Sequence, residues 1–137
     1  MIDWNDCLKS RIVKSVSLDN DMIKSLLESS DYKSKSESML KIGEVTATSK
    51  VSLAYDSLRE LLEALSLSKG FKIYNHECYT AFLKSVIRDF DGGEEFDSLR
   101  IIRNNINYYG RRIAITEALE VISRIKALKT KLNSLLR

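Results

Sequence analysis

The sequence predicts an all-α protein: an up-and-down antiparallel helical bundle of four to five main helices plus a short N-terminal helix. Three observations predict it. Apolar residues recur at helical spacing almost everywhere along the 137 residues, proline is absent, and only five glycines punctuate the chain. Neither strand alternation, a heptad array nor a 30–50-residue repeat is evident. Short connections between long amphipathic helices favour antiparallel neighbours. The length fits one domain over residues 1–137, since a chain of this size buries roughly two-thirds of its unfolded surface without a staple.

Each element has a reason. Trp4, Leu8 and Ile12 stand four apart and predict a short first helix. Ser17 and Asp19 offer N-caps for a second helix running to about residue 42. Its stripe is Met22, Ile23, Leu26, Leu27, Met39 and Leu40, with a weak serine-rich middle over 29–38, and Gly43 offers a stop. A third helix covers about 45–68, with Val51, Ala54, Leu58, Leu61, Leu62 and Leu65 on one side; Gly70 closes it and a loop follows over 71–75. Asn75 caps a fourth helix over about 76–90, burying Tyr79, Phe82, Leu83, Val86, Ile87 and Phe90. Asp91-Gly92-Gly93 reads as the clearest turn in the chain. A fifth helix over about 94–109 buries Phe96, Leu99, Ile102 and Ile106, and Gly110 permits a break. Thr116 caps the last helix, whose stripe is Leu119, Ile122, Ile125, Leu128, Leu132 and Leu135.

Composition excludes several classes. With 44% apolar and 30% charged residues the chain is globular, not disordered. No apolar run approaches the ~18 residues of a membrane span, and Asp3 and Asp6 break any signal-peptide core. Cys7 and Cys78 are too few for a disulfide framework and read as buried or free thiols of a reducing compartment. The expectation is a cytoplasmic protein without a membrane partner. Net charge is +3, but residues 98–137 carry nine Lys/Arg against Glu117 and Glu120. Such a basic third attracts phosphate, or else forms the solvated face of the terminal helices.

The fifth helix carries the most chemistry. Arg100, Arg103, Asn104, Asn107 and Arg111 form a continuous polar stripe at i, i+3, i+4, i+7 and i+11, beside the apolar one. Arginine presents a planar fork of donors suited to phosphate oxygens, and asparagine offers both a donor and an acceptor to a ribose or base. Tyr108 and Tyr109 add rings on which a base can stack. The same spacing also fits an Arg/Asn network pinning neighbouring helices, or a polar dimer seam.

The run Leu99-Arg100-Ile101-Ile102-Arg103-Asn104-Asn105-Ile106-Asn107-Tyr108-Tyr109-Gly110 resembles the late helix of HEPN domains (higher eukaryotes and prokaryotes nucleotide-binding), more narrowly that of small archaeal and bacterial HEPN proteins. Ala54-Tyr55-Asp56-Ser57-Leu58-Arg59 resembles the family's third-helix segment. Gly70-Phe71-Lys72, followed by Asn75-His76-Glu77-Cys78, resembles its loop into the next helix. The similarity spans about residues 4–136.

The resemblance implies a dimerising helical protein that handles RNA or nucleotides. Catalytic members are metal-independent RNases that set an Arg, then four to six intervening residues, then a His, on facing helices of two protomers. Other members only bind nucleotides or RNA, or pair with a small nucleotidyltransferase as a toxin–antitoxin couple. Arg103 and Asn104 match the start of the motif, but with four or five intervening residues the His position holds Tyr108 or Tyr109. An unperturbed phenol has a pKa of about 10 and makes a poor base at neutral pH; loss of the proton-transfer group forfeits on the order of 10²–10⁴ in rate.

Other residues carry weaker signals. His76, the sole histidine, reads as a surface residue beside a capping Asn, and Tyr55, with Asp56 and Arg59, as core packing with a polar tip. One His and two scattered Cys do not make a metal set, and no cofactor is expected. Gly92-Gly93 lacks the lysine of a phosphate loop, and Glu94 and Glu95 suit a helix N-terminus.

Three readings stand in order. The first is a HEPN-like homodimer binding RNA or a nucleotide through Arg100, Arg103, Asn104, Asn107, Tyr109 and Arg111, without catalysis. The second is a metal-independent endoribonuclease in which Arg103 works with Tyr108, or with a recruited His76. The third is a partner subunit of a small nucleotidyltransferase.

Overall fold

The computed structural model describes residues 2–109 and 112–136, without the side chains of 107–109. In chain order its elements are α1 (Trp4–Lys9), β1 (Val13–Ser15), α2 (Asn20–Met39), α3 (Ala47–Ser68), β2 (Phe71–Ile73), α4 (His76–Ser85), α5 (Phe90–Tyr109) and α6 (Ile115–Asn133), followed by one 3₁₀ turn. The helical bundle is as the periodicity predicts.

Helix α3 runs through the middle. Val51, Ala54, Leu58, Leu61, Leu62 and Leu65 are all buried, and α2, α6, α5 and β2 pack around them. A helix this enclosed must also bury polar residues, and Lys50, Ser57, Glu60 and Ser66 each find a partner, although Glu60 Oε2 has none. The Lys50 ammonium donates to Glu37 Oε2 (2.7 Å), to the Glu37 carbonyl (2.7 Å) and to the Leu40 carbonyl (2.6 Å), so it closes the C-terminal end of α2. Lys129 of α6 donates to Ser34 Oγ (2.6 Å) and to Ser57, while Ser30 Oγ donates to the Ser57 carbonyl (2.6 Å). These contacts account for the serine-rich middle of α2: small hydroxyls let three helices approach and receive a lysine head. Met22 and Met39, expected on the buried stripe of α2, are exposed instead, and Ser30 and Glu37 are the buried positions.

Several local expectations are corrected. The first helix stops at Lys9, because the Ser10 hydroxyl bonds back to the Asp6 carbonyl (2.7 Å) and Arg11 adopts a left-handed φ of 62°. Ile12 therefore leads into β1. The 71–75 loop contains β2, which pairs antiparallel with β1 in the register Val13↔Ile73, Lys14↔Lys72, Ser15↔Phe71. Helix α4 ends at Ser85, and the chain turns over 86–89, where Arg88 has φ 63°. Asp91-Gly92-Gly93 is not that turn but lies in the first turn of α5. The Asp89 carboxylate accepts from the Gly92 N–H (2.9 Å), and both glycines are there for closeness: a Cβ on Gly93 would sit 2.6 Å from Lys84 Cγ. Phe90 is consequently exposed, its ring 4.6 Å from the Lys84 ammonium. Helix α6 begins at Ile115 after Ala114, without a side-chain cap from Thr116. Its buried face uses Ala118 and Val121 with Ile122, Ile125, Leu128 and Leu132, leaving Leu119 and Leu135 half out.

The cysteines are also corrected. Cys7 and Cys78, both fully buried, form a disulfide joining α1 to α4, with Cα atoms 6.1 Å apart. They are not free thiols, and the reducing compartment inferred from them loses its basis. Among the described residues, no helix is long and apolar enough to cross a membrane.

Candidate functional site

Three helices bring charged groups to one place. Asn75 caps α4 by accepting the Glu77 N–H (2.7 Å), which fixes His76 as the first helical residue after the ribbon. Tyr55 of α3 is buried and stacks on Phe96 of α5, with centroids 6.0 Å apart and planes 19° from parallel. Its hydroxyl lies 3.1 Å from His76 Nδ1. The Arg103 guanidinium sits 5.4 Å over the same tyrosine ring and donates to Asp56 Oδ1 (3.2 Å). One turn earlier on α5, Arg100 donates twice to Asp97 Oδ1 (2.9 and 3.1 Å), which also accepts from Thr80 (3.3 Å). Arg59 of α3 pairs with Glu63 at 3.4 Å.

The surroundings set the protonation states. Burial, reinforced by the Arg59 and Arg103 guanidiniums, holds His76 below its ordinary 6.5, so the ring is neutral at pH 7. Burial pushes the Tyr55 phenol well above its usual range against the pull of Arg103, Arg100 and Arg59, so it keeps its proton. The shared hydrogen bond leaves two arrangements. Either Tyr55 donates and His76 carries its proton on Nε2, or His76 donates from Nδ1 and Nε2 is a bare acceptor. In the second arrangement Nε2 can take a proton from a substrate hydroxyl.

The three arginines face Asp56, Glu63 and Asp97, so the formal charge of the group sums to zero. It orients a phosphate better than it attracts one from a distance.

Of the expected site residues, Arg100 and Arg103 lie in this cluster, and Asn104 follows half-buried on α5. The side chains of Asn107, Tyr108 and Tyr109, and all of Arg111, lie outside the described residues. Tyr55, Asp56, Arg59 and His76, read from sequence as packing or surface, stand beside Arg103. Among the described residues no three His, Cys, Asp or Glu are grouped as a metal would require. A groove of about 820 Å³ elsewhere, lined by Val45, Thr48, Arg112, Ile113 and Ile115, holds none of these groups. Comparison with family models, with curated proteins and with solved structures returns no match.

Proposed function

We propose that the protein is a HEPN-like RNA- or nucleotide-binding module whose phosphate contact centres on Arg103. The observation that carries this reading is the convergence of Arg59, Arg100 and Arg103 around the Tyr55–His76 pair. A phosphate oxygen competes with the carboxylates for guanidinium donors already held in orientation. Asn104 serves ribose or base, and the motif resemblance adds Asn107, Tyr109 and Arg111 and a homodimer.

The position of His76 favours a second reading, a metal-independent endoribonuclease. A neutral imidazole 3.1 Å from a phenol, beside Arg103, is the acid–base group that the motif run lacks. One experiment separates the two. Labelled single-stranded RNA is incubated in EDTA with wild type, Arg103→Gln and His76→Gln. Retention without cleavage, lost in Arg103→Gln, supports the binding module. Cleavage to 2′,3′-cyclic phosphate ends that disappears in both variants establishes the ribonuclease. Intact, unretained RNA refutes both and directs attention to a protein partner such as a small nucleotidyltransferase.

A further inference from the structure

Positive charge without ion-pair partners gathers away from the arginine cluster, on and around the β-ribbon. Lys9, Arg11, Lys14, Lys69 and Lys72 fall in two stretches, 7–18 and 64–76, that contain no Asp or Glu. Among the described residues none of the five has an ion-pair partner, whereas Lys33, Lys50, Arg59, Lys84, Arg100, Arg103, Arg124 and Lys131 on the helices all do. Of the acids that bound these stretches, Asp19 caps α2 through the Met22 N–H (3.0 Å), Glu63 pairs with Arg59 (3.4 Å) and Glu77 accepts from the Ile2 N–H (3.4 Å), which leaves Asp6 on α1 as the one nearby carboxylate without such a bond among the described residues.

The ribbon presents these charges in a fixed pattern. Val13 and Ile73 are the buried pair that anchors it, which turns Lys14 and Lys72 outward, directly opposite each other. Like charges so placed cost stability. Both ammoniums lie over the ring of Tyr74, at 5.5 and 5.7 Å from its centroid, and Tyr74 is 58% exposed. The Tyr74 N–H donates to the Ile12 carbonyl (2.9 Å), holding the ring at the ribbon's end. Gly70, at φ 88°, lets the chain pass from α3 straight into β2, and its carbonyl accepts from the Val16 N–H (2.9 Å). The flexible lysine stems let both ammoniums swing from the ring onto phosphates, which frees the π-face of an exposed tyrosine for a base.

We propose that the ribbon is a contact surface for single-stranded RNA, with Lys14 and Lys72 on phosphates and Tyr74 stacked on a base. It rests on the preceding reading in taking RNA as the ligand, and it supplies what the arginine cluster lacks, a net attractive field. Tyr74 precedes His76 by two residues, at most about 7 Å of backbone, so one short stretch of strand touches both.

The test is binding of a labelled 12-nucleotide mixed-sequence RNA in EDTA, measured across a salt series. Lys14→Gln/Lys72→Gln and Tyr74→Ala alter outward side chains, and circular dichroism checks that each variant is folded. The double variant is expected to weaken binding at least about tenfold and to flatten the slope of log K against log salt by about 1.4, about 0.7 for each lost phosphate contact. Tyr74→Ala is expected to weaken it about tenfold with the slope unchanged. Ribbon variants that bind like wild type while Arg103→Gln fails overturn the ribbon proposal and leave the arginine site standing. The reverse pattern supports the ribbon and overturns the arginine site. Wild type that ignores the RNA but sediments with phosphatidylserine vesicles overturns it in favour of an anionic membrane surface.

Discussion

The arginine cluster and the ribbon carry cations of similar number in opposite circumstances. On the α3/α5 face each guanidinium has its own carboxylate, so the charge defines geometry and projects little field. On the ribbon the ammoniums have only each other and a tyrosine ring, so the charge is unspent on structure. A count of Lys and Arg along the chain does not separate these cases. Residues 98–137 hold the largest basic excess, yet Arg100, Arg103, Arg124 and Lys131 there are each bound to an acid.

The largest expected effect tests whether a compensated cation is structural. Lys50→Met leaves Glu37 buried with only Lys126 nearby at 3.5 Å, takes a second donor from the Glu37 carbonyl and strips the Leu40 carbonyl of its lysine donor. Urea denaturation should show a loss of about 3–5 kcal/mol, against less than about 0.5 for Lys14→Met on the ribbon. Equal losses would erase the distinction. The next effect is read through His76. Its pKa is depressed in the folded protein, so below about pH 6.5 the unfolded chain binds the extra proton and stability falls as pH drops, levelling once the folded ring is also protonated. His76→Gln should remove this component from a plot of melting temperature against pH. Asp56→Asn should lower the imidazole pKa further in an NMR titration, because Asp56 is the group that raises it. The smallest effect belongs to the ribbon: Lys72→Thr relieves the opposed lysines and should add about 0.2–1 kcal/mol at low salt, a gain that 1 M salt abolishes.

The helices were legible because burial imposes a 3.6-residue period that survives local noise; the α3 stripe from Val51 to Leu65 is an example. The ribbon was not. Three-residue strands give too few positions to count alternation, and the partner of Val13 is Ile73, far along the chain. Gly92 and Gly93 misled because glycine serves close approach as well as turning, and here Lys84 and Asp89 pack where their Cβ atoms would be. In the candidate site, the helical spacing of Arg100 and Arg103 was visible along one element. The meeting of Tyr55, His76 and Arg103 is a tertiary event among single residues with no motif of their own. The signal left unused was the absence of acids over 7–18 and 64–76, two windows that only the fold brings side by side.

The disulfide bears on how this chain responds to force. Cys7 and Cys78, 71 positions apart, close a loop that contains both strands and all of α2 and α3. Pulled from its two ends, the oxidised chain transmits tension across the sulfur bridge, and everything inside the loop is shielded. Neither strand of the ribbon lies on the loaded path. Reduction exposes the loop to the load, and its unfolding then releases about 250 Å of contour length, at about 3.5 Å per residue. The first structure then to bear load would include the two short strands that hold Lys14 opposite Lys72.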